Sequence, residues 1–237
     1  MTARNEIREK IAIATKMLLA ERMIGPFGHC SARVPDTDLF AILGHKDDHV
    51  KDASEISSDD VVLINEEGIV VEGDLDVPGE RHIHLEIYKK RPDVQAVVHA
   101  HPFGCVAFSI VGRSPKPIWH LCTVFAEGIP IFDSSIQIDT PELGQKVSEV
   151  LGAHKAVLLK GHGVAVVGES IEDATVSAVS LERSAQLEIT ASALGDVREI
   201  PTSELTEDLV SLGLTKDEFV SAQWDYWSFR IQEHHKG

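Results

Sequence analysis

The sequence is poor in several residue types, and each shortage removes a class of function. Cysteine occurs only three times in 237 residues, as Cys30, Cys105 and Cys122. An odd number at wide spacing offers neither a disulfide framework nor a Cys-x-x-Cys metal motif, and it fits a reducing, cytoplasmic location. Basic residues are scarce, with 22 Lys and Arg against 38 Asp and Glu and a formal net charge of -16. That balance argues against nucleic acid as a partner, because phosphate binding needs clustered Lys and Arg. The longest basic run, Lys89-Lys90-Arg91, reads as a solvated helix end. Long apolar runs are missing too. No stretch approaches the roughly 18 uninterrupted apolar residues of a membrane span, and Met1 to Glu6 carries charge where a secretion signal has its apolar core.

What remains is an ordinary globular composition, 43% hydrophobic and 25% charged. The length suits one domain spanning residues 1–237. In so acidic a chain, an anionic small-molecule substrate needs a local positive centre, and a bound cation is a natural one.

Hydrophobic periodicity predicts a helix over residues 4–22, with Ile7, Ile11, Ala14 and Leu18 on one face. Residues 29–34 and 38–43 read as two strands about the turn Pro35-Asp36-Thr37. A polar, His-rich loop follows from Gly44 to Ser54, then a hairpin over 60–71. Pro78-Gly79-Glu80 opens a helix that ends before Pro92. Strands are expected at 94–99, 129–132, 155–159 and 164–167, with helices at 102–111 and 140–151. A long helix starts at the capping sequence Ser170-Ile171-Glu172-Asp173 and stops by Gly195. A C-terminal helical tail covers about 203–237, rich in Trp224, Tyr226 and Trp227. The mixed order predicts an α/β fold, a single domain with a mixed central sheet flanked by helical layers.

Twelve histidines stand out, at 29, 45, 49, 82, 84, 99, 101, 120, 154, 162, 234 and 235. His99-Ala100-His101 lies at the end of a predicted strand, so both imidazoles share one face. They can chelate one cation, or they can be two satisfied structural histidines. His162 sits between Gly161 and Gly163, which permit positive φ or a close backbone approach. A tight turn with an incidental histidine explains the same pattern. Glu80, at the first turn of a helix, is equally explained by the helix dipole. Together, three imidazoles and a carboxylate make a plausible Zn²⁺ or Mn²⁺ site. His82 and His84 point about 200° apart on a helix, so at most one of them can join it.

The joint arrangement is more informative than its parts. Gly28-His29-Cys30-Ser31-Ala32-Arg33, Ile56-Ser57-Ser58-Asp59-Asp60, Glu80 to Tyr88, Arg91-Pro92-Asp93 to Pro102, and Leu158 to Gly163 occur in an order and spacing that resemble the class II aldolase/adducin family. The likeness runs from about residue 5 to 195. It implies one divalent metal ion per subunit held by Glu80, His99, His101 and His162, with Glu80 doubling as acid or base. It also implies a homotetramer whose active sites lie at subunit contacts.

The chain departs from the family's phosphosugar aldolases at three places. His29 replaces an Asn, Pro78-Gly79 replaces a Ser-Ser pair, and Leu43-Gly44-His45-Lys46-Asp47-Asp48 replaces a glycine-containing phosphate loop. Proline has no N–H and glycine no hydroxyl, so phosphate donors are lost. His120 aligns with a tyrosine that serves as proton donor across an interface in the aldolases; an imidazole can move a proton near neutral pH, or it can be structural. Other family members decarboxylate hydroxylated aromatic or pyridine acids. The expected activity is therefore a metal-dependent carbon–carbon lyase, decarboxylating a hydroxy-aromatic or hydroxypyridine (di)carboxylate in aromatic compound catabolism. His29, Ser31, His45 and Gly79 would bind substrate, and Trp224, Tyr226 and Trp227 could close over its ring, although such residues more commonly pack in a core. The alternatives are an aldolase or epimerase acting on a sugar or hydroxy-keto acid, and a non-enzymatic adducin-like interaction domain.

Overall fold

Runs such as Val61-Val62-Leu63-Ile64 and Ala156-Val157-Leu158-Leu159 are apolar on both sides of the pleat, as expected of strands covered on two faces. A computed structural model describes residues 2–45, 55–201, 203–204 and 215–234, without the side chains of Thr123 and of 232–234. The strands are β1 (His29–Arg33), β2 (Phe40–Leu43), β3 (Val61–Ile64), β4 (Val70–Glu72), β5 (Ala96–Ala100), β6 (Ile131–Phe132), β7 (Ala156–Leu159) and β8 (Gly163–Gly168). The helices are α1 (Ala3–Ala20), α2 (Arg81–Lys90), α3 (Phe103–Ile110), α4 (Pro141–Leu151), α5 (Ile171–Ser192) and α6 (Lys216–His234).

The strands form one eight-stranded sheet in the order β4-β3-β2-β1-β5-β8-β7-β6. Every pairing is antiparallel except β6 with β7, so the sheet is mixed, as expected. Alternate residues divide between two cores. Cys30, Ala32, Val98, Leu158 and Val166 face a layer built from α1, α3, α5 and α6. Ile42, Val62, Val97, Val157 and Val167 face α2 and α4. The period of two along each strand therefore fixes which layer a side chain meets.

Local chemistry sets the helix starts. Thr140 accepts a hydrogen bond from the Leu143 N–H at 3.3 Å, with Pro141 as the first helical residue. Ser170 caps α5 through the Asp173 N–H at 3.0 Å. The carboxylate of Glu182, on α5, accepts from the N–H groups of Gly104 and Cys105 at 2.8 and 3.0 Å. It supplies the partners that Pro102, the N-cap of α3, cannot offer.

Most element boundaries differ from the sequence reading by one to three residues, as helix ends fray, whereas the last helix begins only at Lys216, well inside the tail expected from about 203. Of the loop expected at 44–54, residues 46–54, including His49, lie outside the described residues. So do 205–214 and 235–237 of the C-terminal tail. Among the described residues, no helix is long and apolar enough to cross a membrane.

The aromatic tail does not close over a substrate within its own chain. Trp227 is buried in the same core as α1 and α5. The Arg183 guanidinium lies 4.2 Å from its ring centroid and that of Arg230 lies 5.1 Å away. Arg183 also bonds Glu21 at the end of α1. An apolar ring with a cationic cover suits a docking anchor, and that is how α6 is held.

Candidate metal centre and adjoining cavity

The antiparallel register brings β1, β5 and β8 side by side, with His29 opposite His99 and His99 opposite Ala165. His99 ends fully buried, on the face covered by α2. Its Nδ1 lies 3.1 Å from the Val164 carbonyl oxygen. A carbonyl only accepts, so Nδ1 carries the hydrogen and Nε2 is free to serve as a ligand.

His101 follows directly after β5 and sets its Nε2 3.1 Å from that of His99. His162 arrives from the turn between β7 and β8. Its two glycines do different jobs. Gly161 has φ +62, a conformation costly for a residue with a Cβ. At Gly163 a Cβ would stand 2.2 Å from the Ala100 carbonyl oxygen and 2.8 Å from His101 Cδ2, so only glycine lets the turn close against β5.

Glu80 completes the group. It is the N-cap of α2, yet its side chain makes no capping bond. One oxygen, Oε1, accepts from the Ile138 N–H at 2.8 Å. The other, Oε2, lies 3.3 Å from Nε2 of both His99 and His162. Burial opposes ionisation of this carboxyl, but the two imidazoles and the Ile138 N–H outweigh it and hold it well below the usual carboxylate range. His101 is lowered to about 4, first by burial and then by its neighbours His99 and His162.

One donor atom from each of Glu80, His99, His101 and His162 lies within 4.8 Å of all the others. Several lone pairs thus converge on one point and call for a positive centre between them. Three imidazoles and a carboxylate match the donors of Zn²⁺ and other first-row cations. The buried Nδ1 of His162 has no hydrogen-bond partner among the described residues.

Beside this cluster opens a cavity of about 540 Å³. His29, His45, Gly79 and Glu80 line it, as do Leu19, Ile24, Leu43, Ile56, Leu75 and Val77. Gln137 lines it too and was not anticipated, because it lies in an irregular segment where sequence has no period to read. Ser31 is elsewhere. It is buried beneath His29 and bonds His84 and Tyr88 instead of lining the cavity. His120 is exposed on a short 3₁₀ turn and does not line the cavity of its own chain. His82 is buried and its Nδ1 has no hydrogen-bond partner among the described residues, whereas His84 turns toward β1.

Residues 9–189 match the family described as class II aldolase and adducin N-terminal domain. The chain is 30% identical over 212 residues to a 3,4-dihydroxyphthalate decarboxylase of Arthrobacter keyseri, covering 84% of this chain and 85% of that one. It is 31% identical over 222 residues to the enzyme of the same name from Rhodococcus jostii strain RHA1, covering 89% of each. An L-fuculose phosphate aldolase of Escherichia coli is 31% identical over 194 residues, covering 81% and 84%. Among solved structures, an L-fuculose 1-phosphate aldolase from Glaciozyma antarctica PI12 superposes with a TM-score of 0.82 at 22% identity, covering 98% of this chain and 91% of that one. That likeness speaks for the fold.

Proposed function

For this chain, which belongs to the class II aldolase and adducin family, we propose metal-dependent decarboxylation of a hydroxy-aromatic or hydroxypyridine (di)carboxylate. The observation that carries the reading is the meeting of Glu80, His99, His101 and His162 at the edge of a cavity walled largely by aliphatic side chains. A flat ring suits those walls. The two decarboxylase relatives span nearly the whole chain and support the same substrate class.

When bound, a divalent cation supplies Lewis acidity toward the electron pair released as the carbon–carbon bond breaks. Zinc and manganese both fit the donor set. The side chains do the rest. Glu80 is kept ionised, so it holds the site's negative charge and can pass a proton to or from a substrate oxygen. His29 and His45 offer ring nitrogens to substrate oxygens from the cavity wall. Loss of CO₂ leaves the electron pair on the ring carbon, and the proton that takes it up is assigned to His120, acting from a neighbouring subunit of a homotetramer, or to Glu80 or water.

Aldol cleavage of a sugar phosphate, the activity in the name of one relative, is less well served. Gly79 faces the cavity without a hydroxyl and Pro78 without an N–H. The deciding experiment incubates the metal-loaded protein with 3,4-dihydroxyphthalate and, separately, with L-fuculose 1-phosphate. Release of CO₂ from the first is expected. Efficient cleavage of the second with no CO₂ from the first would overturn the proposal.

A further inference from the structure

Three polar side chains that the chemistry above does not use, Ser31, His84 and Tyr88, are joined in series to His29 behind the cavity wall. His29 Nδ1 lies 2.7 Å from His84 Nε2. His84 Nδ1 lies 2.6 Å from Ser31 Oγ, which lies 2.8 Å from the Tyr88 hydroxyl. All four residues are buried. Their spacing explains the alignment. His29 and Ser31, two apart on β1, share a face, and His84 and Tyr88, four apart on α2, share another.

We infer that Tyr88, Ser31 and His84 form a one-way chain of hydrogen bonds that fixes His29 as a donor toward a carboxylate or phenolate oxygen in the cavity. This rests on the cavity being the substrate site. The direction follows from counting hydrogens. Tyr88 has one hydroxyl hydrogen, and Ser31 Oγ is its only hydrogen-bond acceptor among the described residues. A buried hydroxyl left without an acceptor is costly, so Tyr88 donates to Ser31. Ser31 then gives its own hydrogen to His84 Nδ1, the other polar atom it meets. With Nδ1 accepting, His84 carries its hydrogen on Nε2 and donates to His29 Nδ1. The hydrogen of His29 is thereby placed on Nε2, the one ring nitrogen left for a ligand in the cavity that His29 lines.

Because each link in the chain supplies one hydrogen, His29 and His84 each carry a single ring hydrogen and are neutral. A neutral donor can meet an anionic oxygen without burying a second cation beside the metal cluster. Ser31, His84 and Tyr88 are thus positioning residues acting through His29.

The test is histidine tautomer spectroscopy on the full chain, ¹⁵N-labelled at histidine and loaded with zinc, which is diamagnetic. His29 and His84 should each show a protonated Nε2 and a bare Nδ1. A protonated Nδ1 on His29 would refute the inference. In Tyr88→Phe, the serine loses its fixed direction and the His84 nitrogens should move toward averaged shifts. Ser31→Ala deletes the same donor and serves if Tyr88→Phe folds poorly. Unchanged tautomers in a folded variant would also refute it. Phthalate, added as an anionic probe, should shift the His29 Nε2–H resonance, and no shift at saturation would count against the ligand assignment. These readings do not depend on CO₂ release, so an inactive protein with the expected tautomers would overturn the decarboxylase proposal alone.

Discussion

The imidazole of His99 is pinned by the carbonyl of Val164, 3.1 Å away on the neighbouring strand. Because that bond leaves Nε2 for the cation, replacing the ring should cost more than loosening it. Zinc affinity in His99→Ala should fall by more than the roughly 10–100-fold typical of lost outer partners. Competition against a chromogenic chelator measures it, and near-native affinity would exclude His99 from the site.

Gly163 and Gly79 should respond oppositely to substitution. In Gly163→Ala the new methyl meets the Ala100 carbonyl and the His101 ring. Overpacking of that kind costs about 1–3 kcal/mol, and it should push His162 away from its partners. Among the described residues, a Cβ at Gly79 meets only Gln137 Nε2, at 3.7 Å. Gly79→Ser should therefore fold with a stability change within about 0.5 kcal/mol. It also returns one hydroxyl to the cavity, so any retro-aldol activity toward a sugar phosphate should rise. Urea midpoints and parallel assays of both variants check this.

Acid should destabilise the metal-free protein before its carboxylates begin to titrate. Burial lowers His84 from its ordinary 6.5 to about 3, so it stays neutral in the fold over that range. Between those values the unfolded chain binds the extra proton, so stability rises with pH and is lost as pH falls from 6.5 toward 3. The slope from one such histidine approaches about 1.4 kcal/mol per pH unit. His101, lowered to about 4, acts in the same sense over a narrower window. Denaturant midpoints of chelator-treated protein at pH 7.0, 6.0 and 5.0 should show the fall, and His84→Gln should flatten it.

Local rules left the metal group open: period two for His99 and His101 and the glycine flanks of His162 fit structural histidines equally well, and it was the family resemblance that joined them with Glu80, whose donor atoms the structure brings together. For Glu80 the helix dipole competed with the ligand role that the resemblance implies, and the carboxylate leaves the helix uncapped and turns to the imidazoles. The sequence reading weighed His84 only as a rival to His82 for the metal and so missed its bond to His29. The clue was present in Glu80, His84 and Tyr88, spaced by four along α2. Ser31 was expected at the substrate, but a strand residue shows which face it takes only when its neighbours are known. The tryptophans of α6 are similar, since composition does not say whether an aromatic covers a ligand or anchors a helix.

Removing that anchor should separate two properties. Trp227→Ala deletes a buried ring and the surface under Arg183, at a cost of about 3–5 kcal/mol. Because α6 packs on α1 and α5, away from Glu80 and the histidines, zinc affinity per folded molecule should be retained. Calorimetry with metal analysis distinguishes this from a loss of both.

The sheet ends in a strand of three residues on one side and of two on the other. At the three-residue margin, Glu72 is engaged by Arg4 and Arg8 from α1. Little unpaired backbone is left there for a stranger's strand to copy, and what remains lies beside charge. A chain that must expose its sheet while folding is thereby given poor borders for runaway stacking, so crowding should favour association through side chains over growth of fibres.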